Sequence, residues 1–303
     1  ISNDMLSTDS FLDYLQYERN YSENTVARYR EDIEQFCEYV KEETQGQVSP
    51  EEADASIIRE WVFHLMDDKK YATTTVNRKL SSLHSYFRFL LRRGDVKADP
   101  LRKVIRPKNK KTLPTFIRED DMNRLLDEVD FGDSYKGCRD RMIILMFYAT
   151  GMRLSELIGL NDVDVDFNAL LIKVTGKRNK QRLIPMIPEL HDGLNAYLAE
   201  RERLLSDVAE NQALFLDTGT CKRISYAKLR VLVRDALAKV TMQSKRSPHV
   251  LRHSFATSML NHSADLQSVK ELLGHESLKT TAIYTHTTFE ELKKMYNQAH
   301  PRA

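Results

Sequence analysis

The 303-residue chain has no run of about 18 apolar residues, the length a helix needs to cross a bilayer, so no membrane association is expected. Its N-terminus lacks a basic stretch followed by an apolar one, which argues against a secretory signal and points to the cytoplasm. Cysteine is scarce: Cys37, Cys138 and Cys221 lie far apart, are odd in number and are not spaced as metal ligands. That pattern argues against a disulfide framework and against a zinc site, and neither metal nor cofactor is expected. Strand-like segments are few, and neither an internal repeat nor a low-complexity tract is evident. What is present is 41% hydrophobic and 30% charged, the composition of a globular protein long enough for two cored domains.

The net charge of +2 conceals an asymmetry. Residues 1–66 carry 15 acidic and 5 basic side chains, so the remainder carries +12. Three segments hold the excess. "RKVIRPKNKKTLPTFIR" (102–118) has seven Lys or Arg and no acid, "KVTGKRNKQR" (173–182) has five and no acid, and residues 222–252 have nine against the single Asp235. Clustered cations release condensed counterions from a polyanion in a way that scattered ones do not, so nucleic acid is the partner implied.

Periodicity reads mostly as helix. After Ser22, apolar Val26, Tyr29, Ile33, Phe36 and Val40 fall on one face. Val76, Leu80, Leu83, Phe87 and Leu90 do the same behind capping candidates Thr73 to Thr75, and Gly94 stops that helix. Its other faces carry Arg78, Lys79, Arg88 and Arg92, of which the first three are candidates for a DNA groove. "RPKNKKTLP" (106–114) is bracketed by prolines, has no apolar periodicity and carries Lys108, Lys110 and Lys111, which predicts an extended, exposed, basic linker. Beyond it "REDDMNRLLDEV" and "CRDRMIILMFYATGMRLSEL" read as helices, the second central to a larger core. "ALLIKV" and "RLIPMI" flank "TGKRNKQ", a hairpin whose tip projects Arg178 and Lys180 as further DNA-binding candidates.

The last third carries the chemistry. Ser247–Pro248 is a helix start that sets His249 and Arg252 at i and i+3 on one face, where unpaired N–H groups and a planar guanidinium suit a phosphate. Taken singly, a histidine and an arginine at this spacing are more often structural. "ADLQSVKELLG" ends at Gly274, a C-cap glycine, and places His275 in the turn after it.

Together, "HVLRHSFATSMLNHSADLQSVKELLGHESLKTTAIYTH" and the earlier "ATGMRLSEL" closely resemble the tyrosine recombinase (phage integrase) family, and within it the bacterial Xer recombinases. "FLDYLQYERNYSENTVARYREDIEQF" is similar to the N-terminal domain of that family. The resemblance implies a mainly α fold, a two-domain C-shaped DNA clamp. An N-terminal helical bundle of SAM-like core-binding type (1–106) and a linker (107–114) would precede a larger α-rich catalytic domain with a small β-sheet or hairpin (115–303). It makes Tyr284 the nucleophile. Arg153 and Arg252 would hold the scissile phosphate, with His249 and His275 beside them and Lys177 reaching in from the hairpin. The family's hairpin commonly reads Gly-Lys-Gly-Asn-Lys, whereas Arg178 stands here at the second glycine, so Lys180 is the alternative to Lys177.

These residue types suit phosphodiester chemistry. A phenol has a pKa of about 10 and is a weak nucleophile at neutral pH. Two arginines and a helix N-terminus favour the phenolate and the charge-rich transition state, a histidine accepts the proton, and a lysine supplies one to the 5′-oxygen. That scheme requires no metal. "TTFEELKKMYNQAH" reads as a short terminal helix with a capping box, Thr288 with Glu291. By resemblance it docks on a neighbouring protomer, giving a homo- or hetero-tetramer on double-stranded recombination sites. The resemblance also implies chromosome dimer resolution at the nucleoid and an activating DNA translocase. The alternatives are an integrase or resolvase of a mobile element, and a DNA-binding protein without catalysis.

Overall fold

Apolar spacing builds the helices of the N-terminal unit. The computed structural model describes residues 3–109, 115–204, 212–274 and 286–303, with residues 3–6, 178, 204 and 286–288 as backbone alone. The chain divides into two compact units, Ile1–Thr112 and Leu113–Ala303. In the first, α1 (Asn3–Asp13) and α3 (Ala55–Phe63) each precede a longer helix, α2 (Glu23–Glu43) and α4 (Thr73–Arg93). Val26, Ile33, Phe36 and Val40 of α2 are buried, as are Val76, Leu80, Leu83, Phe87 and Leu90 of α4, and the two stripes share one core with Phe11 and Trp61. α4 ends at Gly94, left-handed at φ 83°, where the absence of a Cβ removes the steric cost. It begins behind Ala72, which makes no side-chain cap, so Thr73 to Thr75 lie inside the first turn and do not cap it.

This unit contains an internal repeat, which corrects the expectation that the chain has none. α1 runs into a wide turn at Tyr14–Glu18 and α3 into the same turn at His64–Asp68, each closed by a five-residue backbone bond, Arg19 N–H to Tyr14 and Lys69 N–H to His64. A left-handed residue follows each turn, Asn20 (φ 51°) and Lys70 (φ 52°). Then come a 21-residue helix and a proline-initiated turn, Pro50–Glu52 or Pro100–Lys103. From the wide turns onward, corresponding elements start 50 positions apart, and so stand the buried pairs Leu15 and Leu65, Val26 and Val76, Ile33 and Leu83. The first two pairs are identical and the third exchanges one aliphatic side chain for another, a change that a core accepts without loss of the backbone geometry.

Charge also joins α2 to α4. Asp32, 1% exposed, accepts from Arg78, from Lys79 Nζ at 2.9 Å and from Ser82 Oγ at 2.7 Å. Lys79 is itself 7% exposed, with its ammonium 5.6 Å from the Tyr71 ring centre. This corrects its place among the DNA-facing candidates, because a buried ammonium held by a buried carboxylate is not offered to a phosphate. Arg78 and Arg88 are exposed and share a face with Ser81 and Ser85. The start of the expected linker lies along α4 instead of standing clear of it: Asn77 Nδ2 donates to the Pro107 carbonyl (2.8 Å) and Arg106 to Ser81 Oγ (2.9 Å).

In the second unit the most apolar stretch forms α6 (Tyr135–Thr150), buried without interruption from Met142 to Thr150. Around it lie α5 (Glu119–Asp127), α7 (Leu154–Gly159), α8 (Pro188–Leu204), α9 (Tyr226–Ala238), α10 (Pro248–Asn261) and α11 (Leu266–Leu273). The hairpin forms where expected, as β2 (Leu171–Thr175) and β3 (Gln181–Pro185), and a short β1 (Val165–Asp166) adds an unanticipated third antiparallel strand in the order β1-β2-β3. Ile172 pairs with Ile184 and Val174 with Arg182, which sets Ile172, Val174 and Ile184 into the core. No helix among the described residues is long and apolar enough to cross a membrane.

α12 (His286–Ala299) starts before Thr288, so that residue is inside the helix and not its N-cap. The helix packs on its own unit: Leu292 and Tyr296 are buried in the core and the Tyr296 hydroxyl donates to the Ala149 carbonyl at 2.8 Å. His300, 4% exposed, lies 5.4–6.0 Å from the rings of Tyr148, Phe255 and Tyr296. Arg302 then closes the chain against Glu189 (2.6 Å) and Asp127 (2.7 Å).

Burial decides how much each of these charges matters to stability. Asp32→Ala leaves the Lys79 ammonium buried without its carboxylate and is expected to cost about 3–5 kcal/mol in urea unfolding. Asp9→Ala removes only an exposed pair with Arg30 and is expected to cost less than about 1 kcal/mol. Burial lowers the His300 pKa to about 4, against about 6.5 in an unfolded chain. The neutral ring is the one that packs, so its contribution is complete above pH 6.5 and is lost as the pH falls from there toward 4. Between pH 7 and pH 4 the wild type should therefore lose on the order of 3 kcal/mol more than His300→Phe.

Candidate active site

The expected single helix "CRDRMIILMFYATGMRLSEL" is two helices, and the break between them makes the site. α6 stops at Gly151 (φ 58°), where an added Cβ would stand 2.4 Å from Phe255 Cδ1 and 2.8 Å from Leu273 Cδ2. Glycine is required there both by the left-handed backbone and by the close approach of α10 and α11. Arg153 becomes the N-cap of α7, and its N–H donates to Glu156 Oε2 at 2.7 Å. This is one half of a capping box; a guanidinium has no acceptor for the other half.

Three arginines from different elements converge on the end of α11. Arg182 Nε donates to the Leu272 carbonyl (2.7 Å), Arg252 Nη2 to the Leu273 carbonyl (2.7 Å) and Arg153 Nη2 to the Gly274 carbonyl (3.3 Å). Arg252 Nη1 also reaches the Gly151 carbonyl at 2.7 Å. The last carbonyls of a helix lack intrahelical donors and carry partial negative charge, so cations are favoured there. Gly274 caps α11 in the left-handed conformation (φ 64°), as its sequence position implies.

Glu156 balances the cluster. Its carboxylate, 2% exposed, accepts from the Arg153 guanidinium (2.7 Å) and from both terminal nitrogens of Arg182 (3.1 and 2.8 Å). Burial by itself would raise its pKa, but the Arg182 fork and then Arg153 outweigh burial and hold it at about 2. Arg252 is lowered to about 10, first by burial and then by repulsion from Arg153, and is still charged at neutral pH. Three cations against one carboxylate leave an excess of positive charge suited to a phosphodiester. Arg252 forms the buried part of this surface, and the Arg153 side chain, 38% exposed, its outer part.

Of the other expected residues, His249, Lys177 and Lys180 belong to elements of this unit, Lys108 to the first unit with Arg78, Lys79 and Arg88, and the rest fall wholly or in part outside the described residues. His249 is exposed, one turn N-terminal to Arg252 in α10, whose start at Ser247–Pro248 is as anticipated. Lys177 is exposed in the hairpin turn Lys177–Asn179, and its neighbour Gly176 abuts the cluster: a Cβ there would be 3.2 Å from Glu156 Oε1. The turn's left-handed residue is Asn179 (φ 57°), a type that tolerates it, so Arg178 does not have to replace a glycine there. Lys180 is exposed beyond the turn and accepts the Gly176 N–H through its carbonyl at 2.7 Å. Lys108 is exposed, and the Arg178 side chain, Lys110, Lys111, His275 and Tyr284 fall outside the described residues. Glu156 and Arg182 were not anticipated. The i+3 spacing of Glu156 from Arg153 carried a capping signal, while Arg182 was hidden among the surface cations of 173–182.

Comparison with known proteins identifies the family. A profile described as "Phage integrase family" matches residues 115–291, and one described as "Phage integrase, N-terminal SAM-like domain" matches residues 8–94. The chain is 40% identical to tyrosine recombinase XerC of Pelotomaculum thermopropionicum over 97% of this chain and 98% of that protein. It is 37% identical to XerC of Listeria innocua over 97% of each. In fold it is similar to the XerH site-specific recombinase bound to difH substrate in a pre-cleavage complex, with TM-score 0.68, 22% identity, and coverage of 95% of this chain and 94% of that one. The chain belongs to the phage integrase family, the tyrosine recombinases, enzymes that cleave and rejoin DNA strands at specific sites.

Proposed function

We propose that this chain is a recombinase of the Xer type that acts on a chromosomal DNA site and resolves chromosome dimers. The catalytic part of the reading rests on Arg153 and Arg252 meeting at adjacent carbonyls at the end of α11, and its Xer part on the 40% identity with a XerC recombinase. In the reaction, Tyr284 Oη attacks phosphorus, a 3′-phosphotyrosyl bond forms and the bond to the 5′-oxygen breaks. Arg153 and Arg252 neutralise the nonbridging oxygens, His249 takes up the phenol proton with His275 beside the phosphate, and Lys177 protonates the departing 5′-oxygen. Attack by the freed hydroxyl of the exchanged strand reverses these steps and rejoins the backbone.

Residues 1–106 serve as the core-DNA-binding domain, 107–114 as the linker and 115–303 as the catalytic domain. Arg78 and Arg88, exposed on α4 with the half-buried Ser81 and Ser85 between them, suit a DNA backbone or groove, and Lys108 adds a further exposed cation. Lys110, Lys111, Arg178 and Lys180 complete the basic contacts. On DNA the protein acts as a tetramer in which α12 leaves its own unit for a neighbour, at the nucleoid and with a DNA translocase as activator.

Covalent trapping tests this reading. Wild type and Tyr284→Phe are incubated with nicked duplexes made from a fragment library of the source genome, and DNA that stays attached to protein in SDS is sequenced. An adduct is expected with wild type and not with the Phe variant. DNA binding without any wild-type adduct overturns the catalytic assignment, and a recovered site borne on a mobile element overturns the chromosomal one. Arg252→Lys loses the fork and is expected to slow adduct formation about 100-fold or more while leaving duplex affinity within about tenfold. Light scattering on the recovered duplex checks the tetramer.

A further inference from the structure

Arg182 has no place in the mechanism above, yet it is the side chain that joins the parts of the site. It lies on β3 opposite Val174, and since directly paired residues of an antiparallel ladder share a face, it points to the side on which Val174 is buried. Its side chain is 13% exposed. The guanidinium spans Glu156 with both terminal nitrogens while Nε reaches the Leu272 carbonyl. It also lies against the Cα of Gly274, where an added Cβ would stand 3.2–3.4 Å from its Nη1, Cδ and Cζ. One side chain therefore ties three elements together: the hairpin that carries Lys177, the start of α7 that carries Arg153, and the end of α11 from which the chain continues into His275.

We propose that Arg182 is a positioning residue of the recombinase site, holding the hairpin, Arg153 and the last turn of α11 in one register so that groups from all three meet the same phosphate. The inference rests on the recombinase reading for its consequence, and on the three hydrogen bonds for its geometry. Nε and both terminal nitrogens of Arg182 are engaged by the Leu272 carbonyl and Glu156, which makes the side chain a tie between elements. A lysine does not substitute for it: a single ammonium does not span a carboxylate and a carbonyl as the planar fork does.

The test compares wild type, Arg182→Met and Arg182→Lys, using as substrate the nicked duplex recovered by trapping. In the free proteins, amide hydrogen exchange in the last turn of α11 should rise by about tenfold or more in both variants while α6 is unchanged. At saturating duplex, adduct formation should fall about 100-fold in both, with the half-saturating duplex concentration within about threefold of wild type. The groups facing Glu156 are Arg153 from α7 and Arg182 from β3, with Arg252 of α10 coupled to it. Removing Arg182 takes away the largest influence that lowers the Glu156 pKa, so the Met variant should gain an acid limb in its pH–rate profile that wild type lacks. A purely structural role would not create that limb.

Wild-type rates in either variant overturn the proposal, as does unchanged α11 exchange, and so does an equal loss of binding and cleavage without the acid limb. If Arg182→Met does not fold, Arg182→Lys decides by exchange and rate. If wild type forms no adduct, the recombinase reading fails by itself, and α11 exchange still decides whether Arg182 holds that turn.

Discussion

The carboxylate of Glu156 is buried between the guanidinium groups of Arg153 and Arg182, and the arrangement of the catalytic unit depends on this contact. A lone buried carboxylate would cost several kcal/mol or take up a proton. The largely buried Arg182 guanidinium meets the same penalty and lessens it twice, through Glu156 and through the Leu272 carbonyl, and the more exposed Arg153 makes the same two kinds of contact. Arginine suits the position because a planar fork reaches a carboxylate on one edge and a carbonyl on another. The C-terminus of α11 supplies the second half of the balance, since its unpaired carbonyls carry the partial charge that cations complement.

That balance separates two kinds of group. Arg153 and Arg252 are fixed by hydrogen bonds to backbone carbonyls, which fits groups that must hold an anion without rearranging as charge develops. His249 on α10 and Lys177 in the hairpin turn are exposed instead. Beneath the arginines, the missing Cβ of Gly151 lets α6, α10 and α11 meet, so the cations gather over a packed floor.

The N-terminal unit uses one scaffold with two charges. α2 carries seven acidic and three basic side chains, while the equivalent α4 carries five basic ones and no acid. Their buried stripes coincide at Val26 and Val76, Ile33 and Leu83, Phe36 and Tyr86, and Val40 and Leu90 because both fill one core, and their surfaces have no such constraint. The exposed face of α4 is therefore the one of the two suited to a polyanion. Asp32 and Lys79 are the exception to that freedom, an ion pair turned inward where the two long helices meet.

Much of this was legible in the chain because it depends on neighbours in sequence. The helical stripes, the stops at Gly94 and Gly274, the start at Ser247–Pro248 and the hairpin around Lys177 follow from periodicity and from the backbone demands of glycine and proline. The pattern of Arg153, His249, Arg252, His275 and Tyr284 carried the family resemblance. The repeat was not read from the sequence, because its identical pairs, such as Leu15 and Leu65 or Val26 and Val76, are scattered among unlike residues. Nor was the inward turn of Lys79 or Arg182: a cation in a basic stretch reads as solvated until a carboxylate from another element is brought against it. Sequence alone thus determined which segments are helical and which residue types the chemistry uses. Only the tertiary structure decided which charges are buried and paired, because that depends on Asp32 meeting Lys79 across 47 positions and Glu156 meeting Arg182 across 26.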